Sequence, residues 1–496
     1  MTKTHAEWQQ LAAAITPRRD LWVDGSFREA GDGQRLPTLD PATGRVLAEV
    51  AAAGAADVDA AVAAARAAFE ERRWSGLAPS ERKAILLRLA DLVRQHADEL
   101  AVLDSMDGGK LITDTSTVDI PGSAAILQWY AEAADKQYGE IAPTGDGDLA
   151  MISREPLGVV AAVVPWNFPL EMGMWKMAPA LAAGNSVVLK PAEEAPLSSL
   201  RFAELAKEAG LPDGVLNVVP GAGEVAGKAL GLHTDVDVVT FTGSTPVGKM
   251  FLEYAGRSNM KQVWLECGGK SANVVFDSVA DLDTAADGVC FGIFTHAGQV
   301  CSANSRLLVH RSVKDALLGK VLGRAAALRV GDPLDPASKM GPLITEEAVT
   351  RVCRLIEAGR SEGKLVLGGE RPADLPTGAF LQPTIFDEVQ PGSRLAREEI
   401  FGPVLSVTAF DNEDEAIALA NDTKYGLAAS VWSDDIRQAH RVAGRLRAGT
   451  VSVNTVDALD VLTPFGGFGE SGFGRDLSLH ALDKFTALKT TWLKYS

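Results

Sequence analysis

The sequence predicts an α/β fold with mostly parallel sheets, in two large domains or two plus a small one. Three observations carry this. Apolar strand-like runs alternate with helical patterns from about residue 157 onward, the mark of right-handed βαβ units. That alternation restarts after Gly268. A chain of 496 residues is also too long for one hydrophobic core.

Taken in order, 57–73 is Ala-rich with Val58, Val62 and Phe69 at helical spacing and Asp57 as a candidate cap. The stretch 80–103 carries a helical stripe through Ile85, Leu89, Leu92 and Val93. Residues 157–164 and 186–190 read as strands buried on both faces. The helix that follows has Pro196 near its first turn and Gly210 just past its end. Strands are expected at 215–219 and 238–242, with a helical stretch between them, and at 263–265. In the second half, 272–276 is a strand, a helix runs over about 280–294, and 449–454 is a late strand. The glycine-rich stretch 464–475 reads as a loop.

Composition narrows the function. Lys+Arg 48 against Asp+Glu 65 gives a net charge of −17, which disfavours nucleic acid as a partner. The 4 cysteines, Cys267, Cys290, Cys301 and Cys353, form no C-x-x-C pair and no disulfide framework, so a reducing cytoplasm is expected. Residues 1–19 lack the apolar block of a signal peptide. The longest apolar run is far below the ~20 residues a membrane helix needs, so no membrane partner is expected. No H-E-x-x-H occurs and no metal is expected. Gly269-Lys-Ser271 lacks the first glycine of a P-loop, and Gly469-Glu-Ser-Gly-Phe473 lacks the last glycine of a nucleophile elbow. Gly221-Ala-Gly223 with Gly227 is a weak dinucleotide fingerprint, equally a turn into a helix.

Three motifs can carry chemistry. Pro165-Trp-Asn-Phe-Pro169 directly follows a buried strand, where open parallel sheets bind ligands, and Asn167 there can donate to an oxyanion. A Pro-rich turn is an equal reading of those five residues alone. Glu266-Cys-Gly-Gly-Lys270 ends another strand, although a lone strand-end Glu is more often solvated. Gly298-Gln-Val-Cys301 holds a cysteine that is either a small buried residue or a nucleophile.

Together with Lys190-Pro-Ala-Glu193, Phe241-Thr-Gly-Ser-Thr245, Glu399-Ile-Phe-Gly-Pro-Val404 and Pro464-Phe-Gly-Gly467, these motifs resemble the aldehyde dehydrogenase superfamily over nearly the whole chain. Within it the sequence is most similar to the branch acting on γ-glutamyl-γ-aminobutyraldehyde and related ω-aminoaldehydes. The resemblance implies a Rossmann-like cofactor domain (1–137 and 154–267), a catalytic α/β domain (268–475) and small oligomerisation segments (138–153 and 476–496), in a homodimer or homotetramer.

The resemblance also implies residue roles. Cys301 is the nucleophile, Glu266 the base, Asn167 an oxyanion donor with the Cys301 backbone N–H, and Lys176 joins the catalytic group. NAD is the implied cofactor, preferred over NADP. Lys190 and Glu193 take the adenosine ribose, Trp166 and Ser244 the pyrophosphate, and Glu399 and Phe401 the nicotinamide ribose and ring. Val164, Pro165, Ala192, Gly223, Gly227, Phe241, Gly243, Val247 and Cys267 complete the implied cofactor surface. Phe168, Glu171, Met172 and Trp175 share one face if Pro169 starts a helix, and that face would line the substrate tunnel. Ser302, Asp457 and Phe465 are the other expected substrate contacts. The bland reading of Glu171 is a carboxylate in a helix's first turn. Cys267, His296 and Gly469 depart from the family's commoner residues without removing a catalytic group. A broad-specificity aliphatic aldehyde dehydrogenase is the alternative within the family; CoA-acylating chemistry, an esterase and a catalytically silent relative are the other rivals, and Glu266, Asn167 and Cys301 argue against CoA-acylating chemistry and a silent relative.

Overall fold

A computed structural model describes residues 3–495. Two large sheets dominate it. The first has eight strands in the order Gly472–Phe473, Gln262–Cys267, Val238–Gly243, Val159–Val163, Ser186–Lys190, Leu216–Val218, Leu21–Val23, Ser26–Arg28. Its five central strands are parallel and its edges antiparallel. The first of these central strands in the chain, Val159–Val163, lies between the second and the fourth, so the strand order reverses there. A crevice opens beyond the strand ends at such a switch point, and the segments leaving Val163 and Gly243 flank it.

The second sheet has seven strands, and only Lys364–Leu367 at one edge runs antiparallel. Ala272–Val275 lies within it between Arg306–His310 and Ala428–Trp432. Separate apolar clusters sit on either face of the large sheets. A three-stranded sheet joins Glu140–Ala142, Asp148–Pro156 and Thr486–Lys494, bringing the two expected oligomerisation segments side by side. No helix among the described residues is long and apolar enough to cross a membrane.

Several expectations need correction. The helix expected over 57–73 is Ala55–Glu70, with Gly54 as its cap. Asp57 sits inside the first turn, where its carboxylate accepts from the Gly54 N–H at 3.0 Å and the Gly31 N–H at 2.9 Å. The single helix expected over 80–103 is two, Pro79–Gln95 and Ala97–Gly108, because the chain breaks at His96. The glycine-rich loop is partly regular: Gly472–Phe473 pairs with Leu265 and Glu266 at the edge of the first sheet. Gly472 has φ +96°, and a Cβ there would stand 2.2 Å from the Leu265 carbonyl. Glycine is what lets that backbone approach, and composition alone does not separate it from a loop.

Candidate active site

The switch-point crevice continues into a cleft of about 350 Å³ between the two sheets. Pro165, Trp166, Asn167, Thr242, Ser244, Glu266, Cys301, Arg351, Glu399 and Phe401 line it. Thus five motifs far apart in sequence reach one space.

Cys301 arrives on an unusual turn. His296, Ala297 and Gly298 all have positive φ (47°, 53° and 73°), a left-handed run that ends the helix Leu282–Phe294 and aims the next residues into the cleft. Asn167 is buried and donates one amide N–H to the Gln299 carbonyl at 2.8 Å. Its second N–H remains for a ligand. The Cys301 backbone N–H donates to no protein carbonyl among the described residues, so a pair of donors faces the cleft.

Glu266 is buried at the end of its strand, and neither carboxylate oxygen has a hydrogen-bond partner. Burial pushes its carboxyl up to about 7, Asp476 adds to the rise, and Lys176 opposes it. Lys176 is not free to meet a ligand: its Nζ holds Asp476 at 2.5 Å, and Lys484 holds the other Asp476 oxygen. This buried trio backs Glu266 electrostatically. Burial and the neighbouring carboxylates of Glu266 and Asp457 raise the Cys301 thiol well above its ordinary value. At rest Cys301 is therefore a thiol, close to the buried Glu266 carboxyl.

The cofactor candidates fall in two clusters and a supporting layer. Ser244 caps the helix Thr245–Arg257 without using its own side chain, which leaves first-turn N–H groups available to an anion. Glu399 accepts from the Gly269 N–H at 3.1 Å, and its carboxyl is raised to about 7 by burial. A Cβ at Gly268 would fall 1.9 Å from Glu399, so the glycine makes that approach possible. Phe401, at φ 52°, stacks edge-on against Trp166 at 5.6 Å. Beyond this cleft, Lys190 pairs with Glu193 at 2.7 Å, and the Gly223 N–H meets the other Glu193 oxygen at 3.4 Å. Ala192 is buried beside them, and the space above Gly223 is open. Val164, Phe241 and Gly227 are buried supports, Gly243 packs on the Phe241 ring, and Val247 is exposed one turn along from Ser244. Cys267 is buried, and a Cβ at Gly248 would stand 3.0 Å from its sulfur. Burial pushes this thiol up to about 12, so it stays neutral.

The substrate candidates line the other approach to Cys301. Pro169 starts the helix Pro169–Ala183, as the sequence predicts, and Phe168 precedes it. Lys110, which sequence reasoning missed, is buried 3.3 Å from the Phe168 ring centroid and 2.6 Å from Asp119. Trp175 packs on Phe465 at 5.2 Å. Glu171 is half-buried, and its carboxyl is raised to about 8 by burial and by Asp119, against Lys110. Ser302 is buried, and Asp457 is exposed at the mouth although protein crowds it on several sides.

Arg351 and Asp476 were also missed as site residues. Arg351 donates to the Ile400 carbonyl at 2.7 Å and so ties down the Glu399–Phe401 turn. It lies mid-helix with no motif around it. Asp476 follows the glycine-rich stretch, and an acidic residue there gives no local sign of two buried lysines.

The family model described as "Aldehyde dehydrogenase family" matches residues 27–491. The chain is 52% identical over 488 residues to the NADP/NAD-dependent aldehyde dehydrogenase PuuC of Escherichia coli (strain K12), covering 98% of each. Among solved structures, a γ-glutamyl-γ-aminobutyraldehyde dehydrogenase from Burkholderia cenocepacia J2315 is 54% identical, with a TM-score of 0.98 and full coverage of both chains. An indole-3-acetaldehyde dehydrogenase solved with NAD+ is 51% identical, with a TM-score of 0.98 over 99% of this chain and 100% of that one.

Proposed function

The chain belongs to the aldehyde dehydrogenase family and oxidises an aldehyde with NAD, and from that premise we propose how its residues do so and on what. The observation that carries the reading is the meeting of Cys301, the remaining Asn167 amide N–H and the buried Glu266 carboxyl in one cleft. Cys301 gives its proton to water and adds to the aldehyde carbon. The Asn167 amide and the Cys301 backbone N–H hold the resulting oxyanion, worth about 3–4 kcal/mol in comparable sites. NAD, when bound, supplies the hydride acceptor that lets the adduct collapse to a thioester on Cys301. Glu266 then takes a proton from water, whose oxygen attacks the thioester; the C–S bond breaks, the acid leaves, and the Cys301 sulfur recovers a proton from Glu266. Ser244 with its helix N-terminus, Glu399, and the Lys190–Glu193 pair fit a dinucleotide: anion donors for the diphosphate and carboxylates for ribose hydroxyls. Glu193 disfavours a 2′-phosphate, so NAD is preferred over NADP.

Segments 1–137 and 154–267 form the cofactor domain in this reading, 268–475 the catalytic domain, and 138–153 with 476–496 the oligomerisation unit of a homodimer or homotetramer. The four cysteines are all unpaired, which fits a cytoplasmic enzyme. The substrate is an ω-aminoaldehyde or its γ-glutamyl or guanidino derivative. Phe168 and Trp175 suit an apolar middle, and Glu171 and Asp457 a cationic end. The γ-glutamyl-γ-aminobutyraldehyde relative supports this class. A second reading, a neutral aromatic aldehyde, draws on the indole-3-acetaldehyde relative and the same aromatic walls.

Cys301→Ala is expected to abolish NADH formation while NAD still quenches tryptophan fluorescence, and added CoA is expected to change nothing in the wild type. Appreciable turnover by the variant would refute the mechanism.

A further inference from the structure

His296 opens the left-handed run that delivers Cys301, at φ 47° and ψ 37°. Glycine apart, the residues that tolerate such angles best are Asn, Asp and His, and of these only His carries an aromatic ring. The residue is buried, and burial together with Lys110 holds its imidazole well below the ordinary value, so the ring is neutral. Its Nε2 is buried with no hydrogen-bond partner among the described residues. A polar atom left so is costly, so hydrogen bonding by Nε2 is not what keeps the ring here.

The ring makes contacts instead. It stands edge-on to Trp166, with centroids 6.3 Å apart, and to Phe168, at 6.1 Å, both within the range of edge-to-face pairs. Those two residues flank Asn167 in the chain. Each has a further neighbour, Phe401 for Trp166 and Lys110 for Phe168, so the imidazole is the middle member of a continuous row. The His296 carbonyl meanwhile accepts from the Gln299 backbone N–H and from Gln299 Nε2, each at 3.1 Å. The Gln299 carbonyl in turn accepts from the Asn167 amide at 2.8 Å. Asn167 is thus tied to His296 by three routes, one through each flanking ring and one through Gln299. The backbone route needs only the left-handed angles. The other two need the imidazole.

Resting on the reading of Asn167 as the oxyanion donor, we propose that His296 is a positioning residue for that amide: its ring braces Trp166 and Phe168 on either side of Asn167 and so fixes where the remaining N–H points. One residue then serves both halves of the oxyanion site, since its backbone begins the turn to Cys301 and its side chain sets the Asn167 amide.

The test follows three quantities at saturating NAD: the first NADH burst by stopped flow, alkylation of Cys301 by iodoacetamide, and affinity for 1,1,1-trifluoro-4-phenylbutan-2-one. The ketone takes the Cys301 sulfur at its carbonyl carbon, the thiol proton goes to water, and the new oxyanion stays where the amide meets it. Asn167→Ala is expected to slow the burst by about 10²–10³, the usual worth of such a donor. His296→Asn keeps the left-handed angles and drops the ring. It is expected to slow the burst about tenfold and to weaken ketone binding about tenfold, with alkylation changed less than about twofold. His296→Phe keeps a ring and is expected to hold both within about threefold of the wild type, although its strained backbone lowers the melting temperature. The double variant His296→Asn/Asn167→Ala is expected to be no slower than Asn167→Ala alone, the non-additivity of a contact that acts through Asn167. If His296→Phe fails to fold, His296→Asn and the double variant decide the matter. An unchanged burst or ketone affinity in His296→Asn would overturn the proposal, and so would a folded His296→Phe as impaired as His296→Asn. Alkylation slowed as much as the burst would also overturn it, since the ring would then place the sulfur and not the amide. If Asn167→Ala itself leaves the burst intact, the reading of Asn167 fails. If Asn167→Ala is slow and His296→Asn is not, only the role of His296 fails.

Discussion

At the scale of single residues, the site works through groups left deliberately without partners. A buried carboxylate with no hydrogen bond is costly, and such groups cluster where protons move. Glu266 is that group, with its carboxyl raised to about 7 chiefly by burial. As the proposed base it would act only when ionised. A raised value means that turnover climbs as pH rises through about 7 and is lost as pH falls below it. Glu266→Gln is expected to flatten that limb and to cut steady-state turnover by about 10²–10⁴, the usual worth of a general base. Stopped-flow should still show a first burst of NADH before the reaction stalls at the thioester. A variant with no burst would place the main role of Glu266 before the thioester rather than after it. The candidate residues Cys301, Glu266 and Asn167 were legible in the sequence because each sits in a motif of several neighbours. Lys110, Arg351 and Asp476 were not, since each meets a partner remote in sequence: Phe168, the Ile400 carbonyl and Lys176. A residue whose meaning lies in a distant contact leaves no local pattern.

At the scale of elements, the turn that delivers Cys301 is the most exacting piece. Gly298 has φ +73°, and a Cβ there would fall 2.2 Å from the Gly402 carbonyl oxygen and 3.0 Å from that of Ile293. Backbone cannot yield as a side chain can. Gly298→Ala is therefore expected to destabilise the protein by about 1–3 kcal/mol through backbone strain alone. It should also lower kcat more than it weakens NAD binding, because it moves Cys301 directly but touches only one edge of the cofactor site, the turn Glu399–Gly402. Thermal melts, NAD titration and turnover on one preparation separate these effects. Normal kcat with a normal melting temperature would show the turn to be tolerant. Strands were readable where both faces are buried, as at Val159–Val163 and Ser186–Lys190, since continuous β-branched runs leave little choice. The break at His96 was not readable, because the apolar stripe continues across it into Leu100 and Leu103. The edge strand Gly472–Phe473 was hidden for the opposite reason: its pairing depends on glycine's freedom, which in sequence looks like a loop.

At the scale of the whole molecule, one part cannot stand by itself. The strand Thr486–Lys494 runs its full nine residues against Asp148–Pro156, yet all but its first residue is exposed. Leu488 (63% exposed) and Trp492 (60%) project from one face, while Ile141 (73%), across the sheet, projects from the other. An isolated small sheet with apolar residues on both faces and no core is marginal in water, and apolar surface of this kind marks a protein contact. In the proposed homodimer or homotetramer a second copy of the chain would cover it. Burying each such side chain contributes roughly 1.5–3 kcal/mol, and a symmetric dimer counts every contact twice. Leu488→Lys together with Trp492→Lys is therefore expected to shift the protein to single-chain mass by light scattering. Helix content by circular dichroism should hold, because neither residue belongs to the buried clusters of the large sheets. The wild type's melting temperature should rise with protein concentration and the single-chain variant's should not, if association is what supports the sheet. A variant that keeps the wild-type mass would show that these side chains face solvent in the assembled enzyme and that other surfaces hold its subunits together.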